Sequence, residues 1–100
     1  MTTIGLYCTT GLSSALLVQA LKEQLGANNE AYIIHSAPFS EIFMTGKEFD
    51  CLLLAPHTRF NQDKVASAFP DKHIILLTEE EFRSRRLQRV IDEINIYLNN

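Results

Sequence analysis

Four short apolar runs, separated by longer stretches of helical character, limit the folds that this chain can adopt. The runs occupy residues 3–7, 31–34, 51–55 and 73–77. None of them alternates with polar residues, which is typical of strands that are buried on both faces of a parallel sheet. Leucine-rich runs also occur in buried helices, but runs this short favour strands. We therefore predict four strands of a parallel sheet.

The segments between and after these runs are predicted to be helical. In residues 14–25, leucines recur every four residues and form one apolar face. Residues 41–45 predict a short helical turn, and residues 62–68 predict a helix that Pro70 prevents from continuing. The last helix repeats apolar residues at intervals of three and four: Leu87, Val90, Ile91, Ile94 and Leu98. Strands that alternate with helices predict an α/β three-layer sandwich with right-handed crossovers, for which we expect a four-stranded parallel sheet in the order 2-1-3-4.

Length, charge and cysteine content exclude several functional classes. One hundred residues are expected to form one domain, 1–100. The net charge of −3 argues against a nucleic-acid or anionic-membrane binder, which needs a basic surplus. No apolar run approaches the roughly 18 residues of a membrane span, and no basic segment precedes the first apolar run as in a signal peptide. Two cysteines are too few for a disulfide scaffold and fit a reducing cytoplasm, where we expect the protein.

The loop after the first strand contains the candidate site, with the sequence Cys-Thr-Thr-Gly-Leu-Ser-Ser over residues 8–14. Ligands of open parallel sheets bind at the carboxyl ends of the strands, where this loop lies. A small, hydroxyl-rich loop at a helix N-terminus presents backbone N–H groups and the positive end of the helix dipole, which together bind phosphate. The Cys8 sulfur would face the same groups, and the thiolate is a nucleophile for phosphorus. A cysteine at a strand end is also often an ordinary core residue, and position alone does not separate the two interpretations.

Two other protein classes have a comparable loop. The hydroxyl-rich phosphate loop of flavodoxins is similar, but that fold usually needs a longer chain and aromatic residues around the flavin, whereas this chain has no Trp. The Cys-x5-Arg loop of low-molecular-weight tyrosine phosphatases and arsenate reductases is also similar. Ser14 stands where that loop has its Arg, and the chain has no Asp-Pro to provide the general acid. Both interpretations remain open as the weaker alternatives.

A third likeness extends over nearly the whole chain. It comprises the strand Ile4-Gly5-Leu6-Tyr7, the loop of residues 8–14, the helix start Ala15-Leu16-Leu17-Val18 and the later strand Leu52-Leu53-Leu54-Ala55-Pro56. In these features, and in length and element order, the chain resembles the lactose/cellobiose-type IIB component of the bacterial phosphoenolpyruvate-dependent sugar phosphotransferase system. It departs from that family at Ala55-Pro56-His57, where members commonly have Gly-Pro-Gln. It departs again at Thr78-Glu79-Glu80-Glu81-Phe82, where a Gly-containing loop is usual.

The resemblance implies a phosphocysteine carrier. Cys8 would carry the phosphoryl group, and the loop residues would bind it: Thr9, Thr10, Gly11, Leu12, Ser13 and Ser14. A phosphohistidine IIA protein would be the donor, and the acceptor would be a sugar of the β-glucoside/cellobiose, chitobiose or lactose class bound by the membrane IIC component. The chain would then be a phosphotransferase component in the cytoplasm, peripherally associated with the membrane through IIC. The alternative is a regulatory IIB-like module that signals through phosphorylated Cys8; neither interpretation implies a cofactor, and we expect a monomer.

Other residues with chemical potential are more dispersed. His57 and Arg59 follow the third strand at the same edge as Cys8, where His57 could hydrogen-bond the phosphoryl group and Arg59 could supply positive charge. A solvated loop position is the more ordinary interpretation of both. The three histidines lie on separate segments without a nearby cysteine pair, so we predict no metal site. Cys51 begins the third strand, at the opposite edge from Cys8, and is expected to be a core residue.

The charged segment before the last helix suggests local ion pairs. Glu79 and Glu81 stand four residues before Arg83 and Arg85, which is the favourable helical spacing. Acidic residues also suit the N-terminus of a helix. We therefore predict a solvated, ion-paired face here rather than a basic patch for an anionic partner.

Overall fold

Parallel strands form the centre of the molecule. The structure, a computed structural model, describes residues 2–8, 11–26 and 32–99. Within this part of the chain the strands are β1 (Thr2–Cys8), β2 (Tyr32–Pro38), β3 (Cys51–Leu54) and β4 (His73–Leu76). They pair in parallel in the order β2-β1-β3-β4. The predicted sheet and its strand order are confirmed.

Helices cover the sheet on both sides. The α-helices are α1 (Gly11–Leu25), α2 (Ile42–Thr45), α3 (Gln62–Ala68), α4 (Glu79–Ser84) and α5 (Gln88–Asn99). Short 3-10 helices lie before and after α2, at Phe39–Glu41 and Gly46–Glu48, and a longer one, Pro56–Asn61, precedes α3. In the described part of the chain, none of the helices combines the length and apolar character that a membrane crossing requires.

The two faces of the sheet have separate hydrophobic cores. One face packs against α1 and α5 through the side chains Ile4, Leu6, Leu17, Leu21, Leu53, Ile75, Val90 and Ile94. The other face packs against α2 and α3 through Tyr7, Ile42, Leu52, Leu54, Val65 and Phe69. All residues of β3 are buried because this strand is central and covered on both faces.

Gly5 allows an aromatic ring to lie directly on the sheet. A Cβ atom at this position would stand 2.6 Å from Cδ2 of Phe49. The Phe49 ring meets the ring of Tyr7 edge-on, with 6.1 Å between centroids. The Tyr7 hydroxyl lies 2.7 Å from Oγ1 of Thr45, which itself donates to the Glu41 carbonyl. Because the Thr45 hydroxyl uses its proton on the Glu41 carbonyl, the Tyr7 hydroxyl is the donor to Thr45. Burial raises the pKa of Tyr7 above its ordinary value of 10.0.

Two helices follow β4, where the sequence pattern predicts one. α4 begins with a capping box, in which the Glu81 N–H donates to Thr78 Oγ1 and the Thr78 N–H donates to Glu81 Oε1. It ends at Arg85, which has a φ of 59°. The predicted pairing of Glu81 with Arg85 is wrong, because Arg85 has left the helix and Glu81 pairs with Arg89 instead. Glu79 pairs with Arg59.

The side chain of Gln24 attaches the linker between α4 and α5 to α1. Its Nε2 donates to the Arg85 carbonyl at 2.7 Å, and its Oε1 accepts from the Leu87 N–H at 2.8 Å. Backbone groups at the end of one helix and the start of the next have no hydrogen-bond partner within their own helix. The Gln24 side chain supplies partners for one group of each kind. The linker is therefore held at a defined place against α1.

Candidate functional site

Cys8 is the last residue of β1 and lies at the carboxyl edge of the sheet. β1 is an inner strand between β2 and β3, so Cys8 lies near the middle of the carboxyl edge and not at one of its ends. The residue is only 2% exposed. The chain runs from β1 to β2 on one side and then to β3 on the other, which makes the space beyond β1 and β3 a topological switch point. In open α/β sheets, ligands bind at such a point.

The predicted phosphate-binding residues follow Cys8 directly. Thr9 and Thr10 lie outside the described residues. Gly11 begins α1, and the next three residues, Leu12, Ser13 and Ser14, belong to its first turn; their side chains are not among those described. The N-terminus of a fifteen-residue helix therefore starts close behind the thiol-bearing strand end. The first N–H groups of a helix have no partner within it, and they carry the positive end of the dipole.

The backbone of β3 continues into a turn that is closely defined by hydrogen bonds. The Ala55 N–H donates to the Tyr7 carbonyl at 3.1 Å, which extends the β1–β3 ladder by one residue. Pro56 then begins the 3-10 helix Pro56–Asn61. Both the N–H and the hydroxyl of Thr58 donate to the Ala55 carbonyl, at 3.0 and 2.7 Å, and Thr58 is 2% exposed. Two hydrogen bonds from the buried Thr58 to one carbonyl thus fix the direction in which the chain leaves the sheet.

This turn brings His57 to Cys8. The distance between His57 Nε2 and Cys8 Sγ is 3.8 Å, within hydrogen-bonding range for sulfur. A neutral imidazole nitrogen can accept from the S–H group, and a protonated nitrogen can donate to a thiolate. His57 is exposed whereas Cys8 is buried, so the imidazole is the member of the pair that solvent reaches. The arrangement is a nucleophile with an acid–base group beside it.

The His57 ring also contacts an aromatic side chain from α4. The centroids of the His57 and Phe82 rings are 5.7 Å apart, and the ring planes are at 84° to each other. This edge-to-face geometry is one of the two that aromatic pairs prefer. Sequence patterns do not indicate Phe82 as a site residue, because the contact depends on where α4 packs after β4. Thr58 carries a weak signal, a hydroxyl residue two places after a proline at a strand end.

Arg59 lies on the surface beside the site. Its guanidinium is 3.5 Å from a carboxylate oxygen of Glu79 and lies over the ring of Phe60, at 4.7 Å from the centroid. The side chains of Arg59 and Glu79 are 52% and 72% exposed, so water screens this pair. The structure therefore places a cation near the outer end of the turn that carries His57.

Cys51 and His73 lie at the opposite edge of the sheet. Cys51 pairs with Ile4 in β1 and with His73 in β4, as the strand positions predict. Burial raises the pKa of the Cys51 thiol to about 12, and the nearby carboxylates of Glu93 and Asp50 contribute. Cys51 is fully buried and belongs to the core, which confirms the prediction. In the part of the chain that the structure describes, no three His, Cys, Asp or Glu residues are grouped so that they could hold a metal ion.

Comparisons with known sequences and solved structures identify a family to which this chain is similar, and a similar fold. The family described as "PTS system, Lactose/Cellobiose specific IIB subunit" matches residues 3–93. The solved structure of the lactose-specific IIB component domain of the phosphoenolpyruvate:carbohydrate phosphotransferase system from Streptococcus pneumoniae is similar in fold, with a TM-score of 0.75. It is 19% identical over 91% of this chain and 95% of that chain, an identity at which the likeness shows the fold alone. No curated protein sequence matches this chain. The family match extends over both Cys8 and His57.

Proposed function

Because the chain belongs to the lactose/cellobiose-specific IIB family of the sugar phosphotransferase system, we propose that it carries a phosphoryl group on Cys8. The donor is a phosphohistidine IIA protein, and the acceptor is a sugar bound by the membrane IIC component. The sugar is of the β-glucoside/cellobiose, chitobiose or lactose class. The observation that carries the proposal is the position of Cys8 at the carboxyl end of β1, just before the N-terminus of α1 and in contact with His57.

The chemistry consists of two phosphoryl transfers. In the first, the Cys8 thiolate attacks the phosphorus of the donor's phosphohistidine; the P–S bond forms, the P–N bond breaks and the histidine nitrogen keeps the electron pair. In the second, a sugar hydroxyl oxygen attacks the same phosphorus; the P–O bond forms, the thiolate leaves and the hydroxyl proton passes to a base. Both steps need in-line approach and stabilisation of charge rather than further covalent chemistry from the protein.

The N-terminus of α1 supplies much of that charge stabilisation. Its first backbone N–H groups belong to residues 11–14, and a helix N-terminus carries the equivalent of about half a positive charge. The thiolate before transfer and the phosphoryl group after it are both anions, so both are stabilised at this place. We assign the binding of the phosphoryl group to Thr9, Thr10 and residues 11–14.

His57 assists at the sulfur atom. While Cys8 is unmodified, the imidazole accepts the thiol proton or donates to the thiolate across the 3.8 Å contact. Once Cys8 is phosphorylated, a protonated His57 donates to a phosphoryl oxygen. Hydrogen bonds to charged groups typically contribute about 1.5–3 kcal/mol, enough to alter the transfer rate appreciably. Arg59, two residues further on, adds positive potential for the incoming phosphoryl group.

Burial of Cys8 restricts how the partners bind. The residue is 2% exposed, so IIA and IIC must each approach through the space beyond β1 and β3. Two proteins that need the same approach bind in turn rather than together. We propose a monomeric carrier of one domain, 1–100, that works in the cytoplasm and associates with the membrane through IIC.

The decisive experiment is intact-mass measurement after incubation with phosphoenolpyruvate, the upstream phosphotransferase proteins and lactose-type and cellobiose-type IIA proteins. The wild type and the control variant Cys51→Ala are expected to gain one phosphoryl group, and Cys8→Ser is expected to gain none. Cys51 is a suitable control because it lies at the opposite edge of the sheet. A folded wild type that gains nothing from any of these donors, or a Cys8→Ser variant that gains as much as wild type, overturns the proposal.

The regulatory alternative differs in the fate of the phosphoryl group. When membranes that contain IIC and a sugar are added to the labelled phosphoprotein, a transport component loses its label to the sugar. A regulatory module keeps the label on Cys8 under the same conditions. Cellobiose, chitobiose and lactose are supplied separately, so that the same assay identifies the sugar class.

A further inference from the structure

The orientation of the His57 ring relative to Cys8 depends on more than its own backbone. Rotation about χ2 of histidine is broad, so a fixed turn does not by itself direct Nε2 at a neighbouring atom. In this structure the ring contacts side chains from two other elements, namely Sγ of Cys8, at 3.8 Å, and the ring of Phe82, at 5.7 Å between centroids. The near-perpendicular ring planes of His57 and Phe82 limit the angles that the imidazole can adopt.

Phe82 is itself firmly placed. It belongs to α4, and its N–H donates to the Thr78 carbonyl at 3.0 Å. Its ring is partly buried against the core beneath α1 and α5. The preceding residue, Glu81, closes the capping box of α4 and binds Arg89, which also donates to the Leu76 carbonyl. The ring that contacts His57 is thus connected to the end of β4 and to α5.

We infer that Phe82 is a positioning residue of the Cys8 site, which holds the His57 imidazole in the orientation that contacts the thiol. In this role it acts through His57. Its bearing on phosphoryl transfer rests on the proposed function, but its effect on the Cys8 thiol does not. Loss of an aromatic pair of this kind corresponds to a reduction in the rate of a His57-assisted reaction by roughly two- to ten-fold.

The test uses alkylation of Cys8 by iodoacetamide at pH 7 in a Cys51→Ala background, together with NMR of the His57 ring. Phe82→Leu removes the ring but keeps an apolar side chain, and Phe82→Tyr keeps the ring. Phe60→Leu is the matched control, because Phe60 is 81% exposed and its ring contacts Arg59. We expect Phe82→Leu to lower the alkylation rate roughly two- to ten-fold and to shift the His57 ring resonances, with wild-type behaviour in Phe82→Tyr and Phe60→Leu.

A double-mutant cycle separates positioning from packing. In a His57→Ala background, Phe82→Leu is expected to have no further effect on the alkylation rate, because its effect passes through His57. The inference is overturned if Phe82→Leu alkylates at the wild-type rate or faster with unchanged His57 resonances. It is equally overturned if Phe82→Leu lowers the rate as much without His57 as with it.

A phosphorylation arm distinguishes this inference from the proposed function. Phosphoryl uptake from the IIA donor is measured in the same variants. If the wild type takes up no phosphoryl group, the proposed function is contradicted. If Phe82→Leu nevertheless lowers the rate of Cys8 alkylation, the positioning role is supported. A wild type that takes up the group, while Phe82→Leu alkylates like wild type, supports the proposed function and contradicts the positioning role.

Discussion

Glu81 and Arg89 form a bidentate ion pair that ties α4 to α5. Arg89 Nη2 lies 2.7 Å from Glu81 Oε1, and Arg89 Nε lies 3.0 Å from Oε2. The same Oε1 atom accepts from the Thr78 N–H at 2.9 Å, so one carboxylate closes the capping box and binds the arginine. Arg89 also donates to the Leu76 carbonyl at 2.9 Å. One pair therefore joins the end of β4, α4 and α5, next to Phe82 in the chain.

Substitution of Glu81 should destabilise the protein at neutral pH but not in acid. Burial alone would raise the pKa of Glu81, but hydrogen bonds from Arg89 and Thr78 outweigh it and hold the pKa below the ordinary 4.5. A carboxyl with a depressed pKa stabilises the folded state above its unfolded pKa, and this contribution is lost as the pH falls through the folded pKa. Because Arg89 is half exposed, we expect Glu81→Gln to lower the free energy of unfolding by about 1 kcal/mol at pH 7.

Urea unfolding followed by circular dichroism, at pH 7 and at about pH 3, measures this difference. At the lower pH the wild type and Glu81→Gln should have nearly equal stability. Glu79→Gln is the control, because the Arg59–Glu79 pair is longer and more exposed, and its loss should cost at most about 0.5 kcal/mol. An effect of Glu81→Gln that is the same at both pH values would contradict the assignment.

A methyl group at Gly5 should displace the ring of Phe49. The added Cβ would stand 2.6 Å from Phe49 Cδ2, closer than side-chain atoms approach one another. We expect Gly5→Ala to lower the free energy of unfolding by about 1–3 kcal/mol, as overpacked core substitutions do. Phe49→Leu should relieve part of this cost. The double variant should therefore lose less free energy of unfolding than the two single variants lose together.

Gly26→Ala provides the comparison for this cycle. Gly26 has a φ of 58°, and no atom of the described residues lies within 4 Å of an added Cβ, so we expect the cost of Gly26→Ala to come from backbone conformation. Phe49→Leu should therefore leave the cost of Gly26→Ala unchanged. Strictly additive effects of Gly5→Ala and Phe49→Leu in denaturant unfolding would show that the contact has no energetic weight.

Ionisation of Cys51 should destabilise the folded protein at alkaline pH. Burial raises the pKa of this thiol from its ordinary 9.0 to about 12, with the carboxylates of Glu93 and Asp50 adding to the shift. Above pH 9 the unfolded thiol therefore releases its proton while the folded one keeps it, and the free energy of unfolding falls as the pH rises. Between pH 8 and about pH 10.5 the wild type should lose roughly 1–2 kcal/mol more than Cys51→Ala. The measurement is denaturant unfolding of both proteins at the two pH values. If the wild type and Cys51→Ala lose the same free energy of unfolding over this range, the prediction is wrong.

Arg59 should affect phosphoryl uptake more than stability. Its pair with Glu79 spans 3.5 Å and is exposed, so Arg59→Gln should change the free energy of unfolding by less than about 1 kcal/mol. The loss of positive potential beside the Cys8 site should slow phosphoryl uptake from IIA by roughly two- to ten-fold and weaken its dependence on salt. Glu79→Gln should change the rate in the opposite direction.

Rapid-mixing measurements of phosphoryl uptake at low and high salt test this prediction. Arg83→Gln removes the same charge from an exposed position on α4 and is the matched control. If Arg59→Gln and Arg83→Gln have the same rate and the same salt dependence, Arg59 has no particular role at the site.

The sheet and most helices are predictable because their signals are local. The run at residues 51–55 indicates β3, whose side chains are all buried, and residues 62–68 indicate α3 with its observed bounds. β2 extends four residues beyond the predicted end at residue 34, because an edge strand continues through exposed polar residues such as His35 and Ser36 that carry no apolar signal. The break between α4 and α5 falls at Arg85, a residue type that seldom marks a positive φ.

By itself, the sequence determined the four strands of the parallel sheet, the apolar faces of the first and last helices, and that Cys8 ends a strand before a helix. These properties depend on apolar periodicity and capping residues that lie within a few positions of one another. Only the tertiary structure decided that His57 contacts Cys8, that Phe82 contacts His57 and that Glu81 pairs with Arg89 rather than Arg85. Such contacts depend on strand register, on the turn after β3 and on where α4 packs. A small shift in any of these would move the side chains apart, and no local sequence pattern records their distance.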